Sequence, residues 1–236
     1  MVISQLALAV DLSCKEDVQL LLKKLNPKPK ILKVGLELTT KLGVIEAVNF
    51  LNQLCPESNI FLDLKFHDIP NTVGRAIESL LSLNNKTIKY TTIHALGGSK
   101  MLQESIKAAR GQIDLIGVTV LTSHSEEEIN KDYPIHEQRI NLKFTSDLLA
   151  KMSYNAGLRW LVASSHECKH LKSFFPDMKI VTPGVRLLEN NNNDQIRVMT
   201  PKQAIQEGSD MLVIGRPVYQ AKDPQRAWTE IILNIS

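Results

Sequence analysis

The stretch Asn59–Val73, "NIFLDLKFHDIPNTV", decides how this chain is read. It opens as an apolar run of strand character and then sets Asp63, Lys65 and Asp68 into that run. Side chains alternate across a strand, so Phe61, Asp63 and Lys65 share one face and Leu62, Leu64 and Phe66 the other. The second face suits packing beneath helices. The first carries Phe61 low and two opposite charges at the strand's C-terminal end. A solvent-exposed salt bridge is the plainer account of D-x-K on a surface strand. Here the flanking residues are apolar on both sides, which favours a functional cluster at the edge of a buried sheet.

Seven other short apolar runs follow the same plan. They are "LALAV" (Leu6–Val10), "ILKVG" (Ile31–Gly35), "TIKYTTIH" (Thr87–His94), "DLIGVTVL" (Asp114–Leu121), "RWLVAS" (Arg159–Ser164), "KIVTPG" (Lys179–Gly184) and "MLVIG" (Met211–Gly215). Amphipathic stretches lie between them, such as "KEDVQLLLKKL", "TKLGVIEAVNFLNQL", "TVGRAIESLLSL" and "SKMLQESIKAA". Strand–helix alternation with short links argues for a parallel sheet with crossover helices. Eight such units in 236 residues predict a closed (β/α)8 TIM barrel, one α/β domain over residues 1–236. An open doubly wound sheet is the alternative. It is weakened because no G-x-G-x-x-G follows the first run.

Composition fits that size of domain. Hydrophobic residues make up 43% and charged residues 22%, so a core forms without metal or disulfide staples. The net charge of +3 comes with no Lys/Arg run of nucleic-acid type, and a small anionic ligand explains it at least as well as a nucleic-acid surface does. Three scattered cysteines, Cys14, Cys55 and Cys168, suit a reducing, cytoplasmic setting. The N-terminus "MVISQLALAVDLS" lacks a basic leader and meets Asp11 early, and no apolar run is long enough for a membrane span.

In a barrel the active site forms at the C-terminal ends of the strands. Asp11, Lys33, Asp63, Lys65, His94, Thr122, Arg186, Gly215 and Arg216 all fall at or just beyond those ends. Lys33, Asp63, Lys65 and Asp68 alternate in sign, so each lysine is held charged by neighbouring carboxylates. A fixed cation beside a fixed anion suits a reaction in which negative charge develops on carbon. "VIGRPV" (Val213–Val218) and "TPGVR" (Thr182–Arg186) put glycine and arginine on the loops after the last two strands, a common phosphate position in barrels. The Asn-rich "LLENNNNDQ" (Leu187–Gln195) reads as a long loop beside them.

Other motifs carry less. "HECKH" (His166–His170) matches the zinc-protease H-E-x-x-H only formally. It opens a short helix, with Ser165 as its expected N-cap, Leu171, Phe174 and Phe175 as its buried face, and the histidines on its surface. Cys14 and Cys168 lack a convergent base, as nucleophilic catalysis requires. "SHSEEEIN" (Ser123–Asn130) reads as a solvated helix start capped by Ser125.

Taken together, "LALAVDL", "LKVGLEL", "FLDLKFHDIPNTV", "TIHALGG", "GVTVLTS", "TPGVR", "DQIRVMTP" and "VIGRPV", in that order, closely resemble the orotidine 5′-monophosphate decarboxylases in their short bacterial form. The resemblance covers essentially the whole chain. It implies a carboxy-lyase without cofactor or metal, turning orotidine 5′-monophosphate into UMP and carbon dioxide in pyrimidine biosynthesis. Position by position, it implies that Lys65 protonates C6 and that Asp63 lies against the substrate carboxylate. Lys33 would bridge Asp63 and the ribose, and Asp11 would bind ribose hydroxyls. Asp68, Ile69 and Thr72 would reach into the neighbouring subunit's site, making a homodimer with shared sites, and Asn71 joins the substrate-binding set. Thr122 would lie beside the pyrimidine. Gln195, Gly215 and Arg216 would hold the phosphate, with Arg186 on the same side. No nucleic-acid or membrane partner is implied.

The chain departs from the family between Arg186 and Gln195. Four asparagines stand where Pro, Ala and Gly are usual. The nearest alternative is a Mg²⁺-dependent sugar-phosphate decarboxylase or aldolase; such relatives share D-x-K-x-x-D but have an acidic residue in place of the lysine late in strand two. Lys33 would repel such a cation. A non-catalytic phosphate-binding barrel is a further alternative, though it has no need of the Lys65–Asp68 network.

Overall fold

The computed structural model describes residues 6–83, 87–121, 124–132, 139–186 and 199–235. Among them, eight parallel strands pair in chain order: β1 (Leu6–Ala9), β2 (Ile31–Val34), β3 (Asn59–Phe66), β4 (Ile88–His94), β5 (Asp114–Val118), β6 (Trp160–Val162), β7 (Lys179–Pro183) and β8 (Met211–Ile214). Closure is explicit, because β8 returns to β1 with Leu6 opposite Leu212 and Leu8 opposite Ile214. That excludes the open sheet. Every strand falls within or beside one of the eight apolar runs.

Parity divides the core in two. Ala7, Ile31, Phe61, Ile116, Trp160, Val181 and Met211 fill the barrel interior, with Tyr90 and Val213 against them. Their sequence neighbours Leu6, Leu8, Leu32, Ile60, Leu62 and Leu212 point outward under the helices. Strands buried on both faces are why the runs read as continuously apolar. Each fully buried Leu or Phe contributes about 1.5–3 kcal/mol relative to exposure.

The sheath is formed by α1 (Lys15–Lys24), α2 (Leu36–Leu42), α3 (Val44–Leu54), α4 (Pro70–Ser82), α5 (Gly98–Ala109), α6 (Glu126–Asp132), α7 (Leu142–Ala156), α8 (Cys168–Phe174), α9 (Pro201–Gln206), α10 (Arg216–Tyr219) and α11 (Pro224–Ile235). In α4, Pro70 occupies the first turn, where its missing N–H costs nothing, and Val73, Ile77 and Leu80 are buried. The expected single helix over "TKLGVIEAVNFLNQL" is two. Gly43 has φ 80°, a conformation that ends α2 and begins α3.

The turn around "HECKH" also differs from expectation. Ser165 is buried and caps nothing; Ser164 donates its N–H and hydroxyl to Glu167 Oε2 at 2.9 and 2.6 Å. Leu171 is buried and Phe175 half-buried, but Phe174 is 65% exposed, because Cys168, Leu171 and Phe175 form the inward face and Phe174 lies a residue off it. His166 is exposed and His170 is half-buried. Ser125 does cap α6, accepting from the Glu128 N–H at 3.2 Å while Glu128 Oε2 accepts from the Ser125 N–H at 3.1 Å.

Candidate active site

The ends of the strands surround a cavity of about 280 Å³. Asp11, Lys33, Asp63, Lys65 and Thr92 line one side, and Val118, Leu121, Val162 and Pro183 line the apolar side. Gly184, Arg186, Gly215, Arg216 and Tyr219 complete the wall. Residues from all of the strand ends thus meet, as expected of a barrel mouth.

The polar side is one chain of alternating charge. Lys33 Nζ lies 3.2 Å from Asp11 Oδ1 and 3.1 Å from Asp63 Oδ2, and Lys65 Nζ lies 2.8 Å from Asp63 Oδ1. Asp63 is buried. Burial pushes its carboxyl up, but the Lys33 and Lys65 charges and their hydrogen bonds outweigh it and hold the group below the ordinary carboxylate range. For Lys33, burial favours loss of the proton, while Asp63 and Asp11 more than offset it and hold the ammonium above its ordinary value.

Thr92, which sequence reasoning passed over, organises this cluster. Its hydroxyl donates to Asp63 Oδ1 at 2.9 Å and accepts from the Lys65 backbone N–H at 2.8 Å. The pairing of β3 with β4 explains how. From Leu62 opposite Thr91, β3 runs on to Phe66 while β4 runs only to Ile93, so two extra residues are taken up opposite Thr92. Lys65 absorbs the bend with φ 45°, a left-handed conformation unusual for a residue with a Cβ. Because two residues are inserted rather than one, alternation stays in phase. Leu64 and Phe66 still pack toward the helices, and Asp63 and Lys65 both face the cavity. The signal was parity in "TIKYTTIH", which puts Thr92 on the same face as Tyr90.

The remaining expected residues divide. Arg186, Gly215 and Arg216 reach the cavity, and neither arginine has an ion-pair partner among the described residues. Asp68, Ile69, Asn71 and Thr72 do not line it. They are exposed around the start of α4, with Asp68 Oδ1 accepting from the Ile69 N–H at 2.7 Å. Asp68 therefore does not join the charge chain with Lys33, Asp63 and Lys65 within its own subunit. His94 sits at the rim, stacked on His67 with ring centroids 5.2 Å apart, and burial, His67 and Lys65 all hold its imidazole below the usual value. Thr122 and the whole Asn-rich stretch Leu187–Gln195 lie outside the described residues.

The residues of "HECKH" serve other partners. Glu167 Oε1 accepts from Ser146 Oγ at 3.2 Å in addition to its Ser164 contacts, and His170 Nε2 pairs with Asp147 at 3.0 Å. Among the described residues no group of three His, Cys, Asp or Glu side chains is placed to hold a metal ion.

Comparison with known proteins agrees with this geometry. The model of the orotidine 5′-phosphate decarboxylase / HUMPS family matches residues 4–231. An orotidine 5′-phosphate decarboxylase of Legionella pneumophila (strain Corby) is 42% identical, covering 98% of this chain and 99% of the relative. One of Shewanella sediminis is 41% identical, covering 98% and 97%. The crystal structure of the orotidine 5′-phosphate decarboxylase from Lactobacillus acidophilus superposes with a TM-score of 0.81 at 33% identity, over 99% of both chains. With the family's model matched almost end to end, this chain belongs to the orotidine 5′-phosphate decarboxylase / HUMPS family.

Proposed function

We propose that the chain converts orotidine 5′-monophosphate to UMP and carbon dioxide, using its own side chains and no metal or organic cofactor. The observation that carries this reading is Lys33, an ammonium held between Asp11 and Asp63 at the cavity wall. A positive charge already occupies the ground between the carboxylates that a divalent cation would need. That favours metal-free decarboxylation of the nucleotide over the Mg²⁺-dependent decarboxylase or aldolase chemistry of the sugar-phosphate relatives.

In this reading the pyrimidine lies over the apolar side and its carboxylate meets Asp63. The bond from C6 to the carboxylate breaks, carbon dioxide leaves, and the electron pair stays on C6. Lys65 Nζ stabilises the developing carbanion and gives it a proton. The neutral amine then recovers a proton from water, and the 36% exposure of the Lys65 side chain supports that route. Lys33 and Asp11 bind ribose, while Arg186, Gly215 and Arg216 hold the phosphate with Gln195. Thr122 lies beside the ring. Binding energy from the distant phosphate is thereby available to the reacting end.

The active form in this reading is a homodimer. Asp68, Ile69, Asn71 and Thr72 lie exposed outside their own cavity, which supports their serving the neighbouring subunit's site. We assign the enzyme to the cytoplasm, where free Cys14, Cys55 and Cys168 stay reduced. No helix among the described residues is long and apolar enough to cross a membrane.

The test is direct. Purified protein treated exhaustively with EDTA is mixed with orotidine 5′-monophosphate, and the pyrimidine absorbance is followed. Stoichiometric UMP formation is expected. No turnover, or turnover only after Mg²⁺ is restored, sinks the reading.

A further inference from the structure

Tyr219 belongs to the cavity wall but to none of the roles assigned above. It ends α10, a single turn that Gly215 precedes as its N-cap residue. Buried Val218 anchors that turn, and Arg216 and Tyr219, three residues apart, both reach the cavity. The ring lies against the ends of β8 and β1. A Cβ placed on Gly215 would stand 3.3 Å from the Tyr219 ring and 3.4 Å from the Ala9 side chain. Glycine at 215 therefore makes room for the ring, and the ring is held two residues along from Asp11.

The phenol's surroundings define what it can bind. Burial, the Asp11 carboxylate and Glu37 push its pKa up, outweighing Arg216 and Lys33, so it stays a neutral donor. Among the described residues its hydroxyl donates to nothing. A tyrosine packed into a cavity wall ordinarily finds a partner for that hydroxyl. An anion would be drawn instead to Arg216 and Arg186. The group that fits between a carboxylate and a phenol is an alcohol, which donates to the first and accepts from the second.

We propose that the Tyr219 hydroxyl donates a hydrogen bond to a ribose hydroxyl of the bound nucleotide, the same hydroxyl that donates to Asp11, and so helps fix the ribose in the cavity. This rests on the nucleotide-binding reading above. One neutral hydrogen bond of this kind corresponds to an affinity change of about three- to tenfold.

The experiment compares the unaltered protein with Tyr219→Phe by calorimetric titration with UMP, 2′-deoxy-UMP and 3′-deoxy-UMP. Tyr219→Phe keeps the ring, and its thermal midpoint checks the fold. The expected result is a loss of about three- to tenfold for UMP and for one deoxy analogue, with no loss for the analogue lacking the contacted hydroxyl. An equal loss for all three ligands, or no loss for any, overturns the proposal. If the unaltered protein fails to bind UMP at all, the nucleotide reading itself falls, and this inference with it.

Discussion

Lys65 combines the proposed proton donor with a strained backbone, so two substitutions there separate function from stability. Its φ of 45° costs a residue with a Cβ about 1–2 kcal/mol. Glycine carries no such cost, but its freer unfolded chain returns about 0.5–1 kcal/mol of that advantage. Lys65→Gly should therefore be more stable than Lys65→Ala by roughly 0.5–1 kcal/mol. The 2.8 Å contact with Asp63 is lost equally in both variants and cancels from the comparison. It is also modest, because the Lys65 side chain is partly solvated and its ion pair is screened. In a domain of this size the difference amounts to a melting temperature about 1–4 °C higher for glycine.

Activity should behave differently. Both variants lose the proposed proton donor and its charge, so kcat should fall by a factor of order 10⁴ or more. Urea unfolding gives the stabilities, and absorbance at saturating orotidine 5′-monophosphate gives kcat. An alanine variant at least as stable as the glycine one refutes the claim of strain at Lys65. Near-normal kcat in either variant refutes its role as donor. The expected pattern, improved stability over alanine with no return of activity, would mean that strain is tolerated there to aim the ammonium.

The other predictions are narrower. Asp63 has a depressed pKa, so its contribution to stability is present above the unfolded carboxyl value of about 3.9 and is lost as pH falls through the lower folded value. Stability of Asp63→Asn should thus fall less steeply with acid than that of the parent, and parallel urea-midpoint curves would contradict this. Equal mixing of inactive Lys65→Ala and Asp68→Ala chains should, after subunit exchange, restore about a quarter of the sites, since random pairing gives hybrid dimers with one intact site each. Activity that stays at the level of the separate variants would place Asp68 in its own subunit's site. Glu167→Ala should cost about 1–3 kcal/mol in urea unfolding by leaving Ser164 and Ser146 without their acceptor, and a neutral outcome would show that water replaces it.

How legible all this was depended on which physical rule each residue obeys. The strands could be read because burial on both faces forces apolar runs, and the count of eight implied closure. Gly43 was missed as a break because Leu42 precedes it and helical apolar spacing starts at once beyond it with Val44, Ala47, Val48 and Leu51, while its φ of 80° is what separates α2 from α3. Thr92 was missed for a related reason. A two-residue insertion leaves alternation intact, so the pattern of β3 looks identical with and without the bulge that brings Asp63 and Lys65 level with Thr92. Asp68 marks a different limit. Sign alternation grouped it with Lys33, Asp63 and Lys65, yet it lies beyond the end of β3 at Phe66, where strand parity no longer dictates direction. Alternating charge therefore identifies residues that could share a site, but only strand geometry assigns them to one cavity. Where the strand stops, as at Asp68, the pattern is equally compatible with a role in the same subunit or in the next, and the hybrid-dimer experiment distinguishes the two.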